Sequence, residues 1–121
     1  MIFTSEESRE IAEGMLGWEY VYDPCAPAAR YAHFYRHDGT ISYREGLDFS
    51  LPEWTGSMLG AIRGRWLPNA QYCMSIDVRY GWVDVIFGRL GESFRDSNRN
   101  RNIYDAWKWL RGKEEATDVQ S

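Results

Sequence analysis

The stretch from Gln71 to Gly88 reads QYCMSIDVRYGWVDVIFG. Tyr72, Met74, Ile76 and Val78 fall on alternate positions, and so do Val83, Val85 and Phe87. A period of two puts each set on one face of a half-buried strand. Tyr80-Gly81 lies between the two runs and predicts the turn of a hairpin. The second face then carries Cys73, Ser75, Asp77 and Arg79 beside Trp82 and Asp84. A hairpin with one apolar face has to be covered, so the neighbouring segments must supply helices.

They do so on both sides. Upstream, Leu51-Pro-Glu-Trp-Thr55 introduces a helix with Thr55 as its N-cap and Leu59, Ile62 and Trp66 along one face. Gly56, Gly60 and Gly64 lower its intrinsic helicity but permit close packing, and Pro68-Asn69 ends it. Downstream, Gly91 to Arg101 is polar and reads as a loop. Asn102 then caps a third helix, with Ile103, Ala106, Trp107 and Leu110 as its buried stripe and Gly112 as its stop. Residues 113–121 read as a polar, frayed tail.

The N-terminal part begins with Thr4-Ser-Glu-Glu7, a capping box. It opens a helix over about Ser5 to Leu16 that Gly17 stops. Trp18 to Tyr22 reads as a strand, Asp23 to Ala29 as a Pro-containing loop, and Arg30 to Arg36 as a second strand. Asp38-Gly39 marks a turn into a return strand over Thr40 to Arg44. The order predicts an α+β fold. A small antiparallel sheet, including the hairpin 71–88, packs with three helices in an α/β/α-type layered sandwich, as one domain over 1–112.

The chain has 121 residues, 16% of them aromatic, and a net charge of −4. A chain this apolar is not disordered, and its acidity excludes broad nucleic-acid binding while leaving room for a local basic site. Residues 1–60 hold ten acids and four bases, whereas 61–121 hold eight acids and ten bases. Cys25 and Cys73 allow one disulfide but read more simply as free thiols in a reducing compartment. The opening residues turn acidic at Glu6, unlike a secretory leader, and no apolar run is long enough for a membrane span. A cytoplasmic protein is the expectation.

Several short motifs carry a resemblance. Leu16-Gly17-Trp18 closes the first helix, Tyr31 to Gly39 reads YAHFYRHDG, and Leu51 to Thr55 reads LPEWT before a helix. A hairpin centred on Tyr80-Gly81-Trp82 and a final helix follow. This succession, covering most of residues 5–111, resembles the phage ABA sandwich domain, a group of small phage proteins. Gly56-Ser-Met-Leu-Gly60 departs from the family's acidic residue and Leu-Asn-Ala-Ala-Trp at that place. The Arg-Asn run after Arg95 is also foreign to the family. The resemblance implies a layered α/β fold and a setting in the bacterial host cell, and it implies no catalytic residue.

Four features are candidate sites. The first is Arg95-Asp-Ser-Asn-Arg-Asn-Arg-Asn102, just before a helix. Arg95, Arg99, Arg101 and Asn102 there suit phosphate, a nucleotide or carboxylates. A solvated polar loop is the competing reading. The second is His33 and His37, which on a strand lie about 13 Å apart, too far to share a metal. The third is nucleophilic chemistry by Cys73, or by Cys25 with His33 as its base, or an Asp77 and Asp84 pair facing each other across the hairpin, against which stand a structural cysteine and surface carboxylates partnered by Arg79 or Arg89. The fourth is the aromatic excess. Trp82 and Trp109, with Arg79, are residue types that anchor interfaces, although an aromatic-rich core would also use them.

These features point to binding rather than catalysis, with no metal and no cofactor. With the resemblance, they predict a non-enzymatic phage accessory protein that binds a host macromolecule and inhibits bacterial antiviral defence, in the manner of an anti-CRISPR protein. The alternative is a nucleotide- or anion-binding protein that sequesters a signal with the Arg95–Arg101 loop. A further alternative is a homo-oligomeric structural or regulatory phage protein.

Overall fold

A computed structural model describes residues 2–68 and 74–120. The fold is α+β, and its strands form two separate three-stranded antiparallel sheets. The chain divides into two compact units, 3–49 and 50–121, where the sequence pattern suggested one domain over 1–112.

In the first unit, α1 (Ser5–Arg9) starts at the expected capping box. The Thr4 hydroxyl accepts from the Glu7 amide at 3.1 Å, and Glu7 Oε1 accepts from the Thr4 amide at 3.0 Å. The helix does not stay α-helical to Leu16. It widens into a π-helical stretch over Glu10–Met15, which buries Ile11, Ala12 and Met15. Gly17 takes a φ of 69°, and the Trp18 amide donates back to the Ala12 carbonyl at 2.8 Å. That left-handed stop is what a glycine provides cheaply.

Strands β1 (Glu19–Tyr22), β2 (His33–His37) and β3 (Thr40–Tyr43) form the first sheet in the order β1-β2-β3. The second strand starts later than its sequence suggests, because Ala29–Ala32 forms a single helical turn, α2. On one face of β2, Tyr35 is buried and its hydroxyl donates to Glu13 on the π turn at 3.3 Å. Burial, and then the Glu13 carboxylate, push that hydroxyl up to about 12, so it remains a neutral donor. His33 and His37 share this face. His33 shares a hydrogen bond with the Tyr20 hydroxyl, while His37 stacks on Trp18 at 3.7 Å and bonds Ser42 at 2.8 Å.

In the second unit, a 3-10 turn (Pro52–Trp54) leads into α3 (Thr55–Trp66). Thr55 is therefore already helical and does not cap. The buried stripe of α3 is Met58, Ile62 and Trp66, with Leu59 at its margin. The hairpin consists of β4 (Met74–Arg79) and β5 (Trp82–Phe87), in the register Arg79↔Trp82 to Met74↔Phe87. The expected beginning of the first strand, Gln71 to Cys73, lies outside the described residues.

The segment after the hairpin is not all loop. Leu90–Phe94 forms β6, paired with β5 from Phe87↔Leu90 to Val83↔Phe94. Its Gly, Glu and Ser are tolerated because it is an edge strand with mostly exposed side chains. Helix α4 (Arg99–Gln120) follows. It lies against β5, β6 and α3, and buries Ile103, Tyr104, Ala106, Trp107 and Leu110 opposite the Val83, Val85 and Phe87 face.

Helix α4 also passes Gly112, so 113–120 is helical rather than a frayed tail. Glu114 explains why. Its carboxylate accepts from Arg65 at 2.9 and 3.3 Å and from the indole N–H of buried Trp66. This ties α4 to the end of α3 two residues beyond the glycine. The Arg65 guanidinium holds the Glu114 carboxyl below the usual glutamate range. A carboxyl lowered in the folded state stabilises the fold above its ordinary value of about 4.3 and loses that contribution as pH falls. Between pH 5 and pH 3, the melting temperature is therefore expected to fall further in the wild type than in Glu114→Gln. Equal falls in calorimetry contradict this lock.

Candidate functional site

In the second unit the start of α4 borders a cleft of about 300 Å³. Its walls are Ser50, Pro52 and Thr55, the β4–β5 turn at Tyr80-Gly81, and Ser97 to Asn100. Gly81 has a φ of 90°, which closes the turn tightly and leaves Tyr80 standing 87% exposed at its tip.

Asparagines place the helix start. Asn98 is the residue before α4, and its Oδ1 accepts from the Arg101 amide at 3.1 Å, the N-cap bond. Its own amide donates to Asp96 Oδ1 at 2.9 Å, and its side-chain amide donates to the Ser50 carbonyl at 3.1 Å. Asn100 and Asn102 are each only 1% exposed. Asn100 accepts from the Thr55 hydroxyl at 2.6 Å and donates to the Leu51 carbonyl at 2.7 Å. Asn102 accepts from the Asp96 amide at 2.6 Å and donates to the Asp96 carbonyl at 2.9 Å. It is thus a bracket between loop and helix and not the expected cap. The cap sits four residues earlier.

The sequence candidates separate accordingly. Arg99 is exposed at the first position of α4, and its guanidinium lies 5.7 Å above the Tyr80 ring. Among the described residues no carboxylate pairs with it. Arg79 and Trp82 flank the same turn as a registered pair. Trp82 is 40% exposed, and the Arg79 Nε donates to Asp77 at 3.1 Å. Arg99 and Tyr80 thus meet at the cleft, while Arg79 and Trp82 adjoin Tyr80 along the chain on the opposite, exposed face of the hairpin.

The other candidates do not join Arg99 and Tyr80 at the cleft. Arg101 pairs with Asp105 at 3.4 Å and lies over Tyr104. Trp109 is half-buried against Phe94 of β6, with the Lys113 ammonium over its ring. Arg95 is exposed and does not line the cleft. Asp77 and Asp84 do face each other across the hairpin, and Asp84 accepts from Ser93.

Tyr80 and Asn100 were not singled out from sequence. A large aromatic before the turn glycine was the available signal for Tyr80, since a turn tip cannot be buried. Asn100 is the middle of five asparagines and arginines in a row, Asn98 to Asn102, and nothing local marks it as interior.

Among the described residues the lining of the cleft contains no His, Cys, Asp or Glu, and its hydroxyls are those of Ser50, Thr55 and Ser97. It offers the Arg99 guanidinium, an exposed ring face and the start of a long helix, a combination that holds anions and planar groups. Among the described residues no group of three metal-ligating side chains occurs, and no helix is long and apolar enough to cross a membrane. Comparison with protein-family models, curated proteins and solved structures finds no match.

Bracket and binding residues should respond differently to truncation. Asn102→Ala removes the buried side chain that holds the Asp96 amide and carbonyl and is expected to cost about 1 kcal/mol in urea denaturation. Arg99→Ala is expected to change stability by less than about 0.5 kcal/mol. A destabilised Arg99→Ala would make that side chain part of the scaffold.

Proposed function

We propose that this chain is a non-enzymatic accessory protein that binds a macromolecular partner through the β4–β5 turn and the start of α4. The observation that carries this reading is the exposed Tyr80 at a glycine turn with the Arg99 guanidinium over its ring, next along the chain to exposed Arg79 and Trp82. Tyr, Trp and Arg dominate interface energetics, because each buries much surface while keeping a hydrogen-bonding group. Arg99, which among the described residues has no carboxylate partner, favours a partner that presents acidic side chains. The phage resemblance of the sequence supports a host target and a role against bacterial defence.

Capture from bacterial lysate tests this together with phage plating on hosts carrying defence systems. The wild type is expected to retain one protein stoichiometrically and to restore plating. The Tyr80→Ala and Arg99→Ala variants are expected to weaken capture by about 30-fold or more, the scale of an interface hot spot. Absence of both a partner and protection overturns the proposal.

The cleft itself favours a second reading. Its volume lies at the small end of ligand pockets, and Tyr80 with Arg99 offers a base-stacking ring and a phosphate contact. On this reading, mono- or cyclic nucleotides raise the melting temperature, and Arg99→Ala removes the rise. No shift across a nucleotide panel rules it out.

A further inference from the structure

The face of the first sheet opposite Tyr35 is unlike the rest of its unit. The registers Phe34↔Tyr43 and Arg36↔Ile41 put these four side chains together on it. Tyr31, on α2, joins them edge-on to Tyr43 at 5.2 Å, and Phe34 meets Tyr43 edge-on at 6.1 Å. Tyr31, Tyr43 and Ile41 are 38%, 44% and 54% exposed. Two guanidinium groups lie on the rings, Arg30 at 5.0 Å from Tyr31 and Arg36 at 6.0 Å from Phe34. Among the described residues neither arginine pairs with a carboxylate, although Glu19 stands opposite Arg36 in the register.

A soluble face gains nothing from unpaired cations spread over exposed rings unless an anion with flat apolar surface covers them. An acidic peptide supplies the charge but not the flat surface. A single-stranded nucleic acid supplies both, since bases stack on rings and guanidinium planes while the phosphates meet the arginines. Strands of four and five residues are about 13–17 Å long, room for roughly two or three bases. We propose that this face is a stacking platform for a short segment of single-stranded RNA or DNA. Two arginines make the site local and weakly salt-dependent, which fits a chain whose net charge excludes broad nucleic-acid binding.

Fluorescence anisotropy with labelled dT12, U12 and a dT12·dA12 duplex tests the platform. Both single strands are expected to bind and the duplex is not. The logarithmic salt slope is expected near −1.4, about −0.7 for each of two phosphates. Tyr43→Leu and Arg36→Ala each weaken binding by about tenfold or more, whereas Tyr43→Phe, which keeps the ring, does not. Arg89→Ala, which removes an exposed arginine of the other unit, leaves it unchanged, so the loss in Arg36→Ala is not one of overall charge. Circular dichroism confirms that the variants fold. Absence of single-strand binding at 100 µM protein, equal duplex binding, or indifference to Tyr43→Leu overturns the proposal. So does capture of a protein partner that requires Tyr43 while dT12 stays unbound.

Discussion

Two buried amides set the geometry of the second unit. Asn100 and Asn102 each use both ends of the side-chain amide on groups far from their own backbone. A buried amide that satisfies all its partners orders its surroundings, and one that loses a partner carries the desolvation cost unrelieved. The position at which α4 begins is therefore fixed to one residue. From that start, Arg99 falls beside Tyr80 and not into the core. The apolar stripe from Ile103 to Leu110 meets β5 with the correct face.

The polar bracket and the apolar stripe need each other. The stripe alone would allow the helix to slide along the valines of β5. The amides alone would not hold 22 residues of helix. At its far end the same helix is tied by Glu114 to Arg65 and Trp66, so a long element is pinned at both ends. The first unit uses different means. There a capping box, a π turn and a glycine stop bring Glu13 to the Tyr35 hydroxyl, and Trp18 packs its ring against Tyr35, His37 and Phe49. π turns are rare and recur where a side chain must be placed out of the α-helical phase.

Much of the fold was legible, for physical reasons. Alternation of Val83, Val85 and Phe87 can mean only a half-buried strand, and Thr4 with Glu7 announces a helix start. What was hidden depended on distant residues. The stretch Leu90–Phe94 looks like a loop because an edge strand needs little apolar character. The run past Gly112 looks like a tail because its anchor, Glu114, acts only once Trp66 is nearby. Asn102 looks like a cap because buried and capping asparagines are the same letter. Of the site, Arg79, Trp82 and Arg99 were found by residue type. The meeting of Arg99 with Tyr80 was not, since it arises from a hairpin turn and the start of a helix 19 residues later.

The central claim is that Asn102 brackets the loop at Asp96 and so fixes the start of α4. Asp96 lies outside any helix or strand, and an ordinary loop amide exchanges its hydrogen freely. Amide hydrogen exchange followed by NMR reads this one group directly. The account predicts that the Asp96 amide exchanges as slowly as the buried turns of α4, and that Asn102→Ala releases it. Exchange of the wild-type Asp96 amide at the rate of an unstructured chain would contradict it.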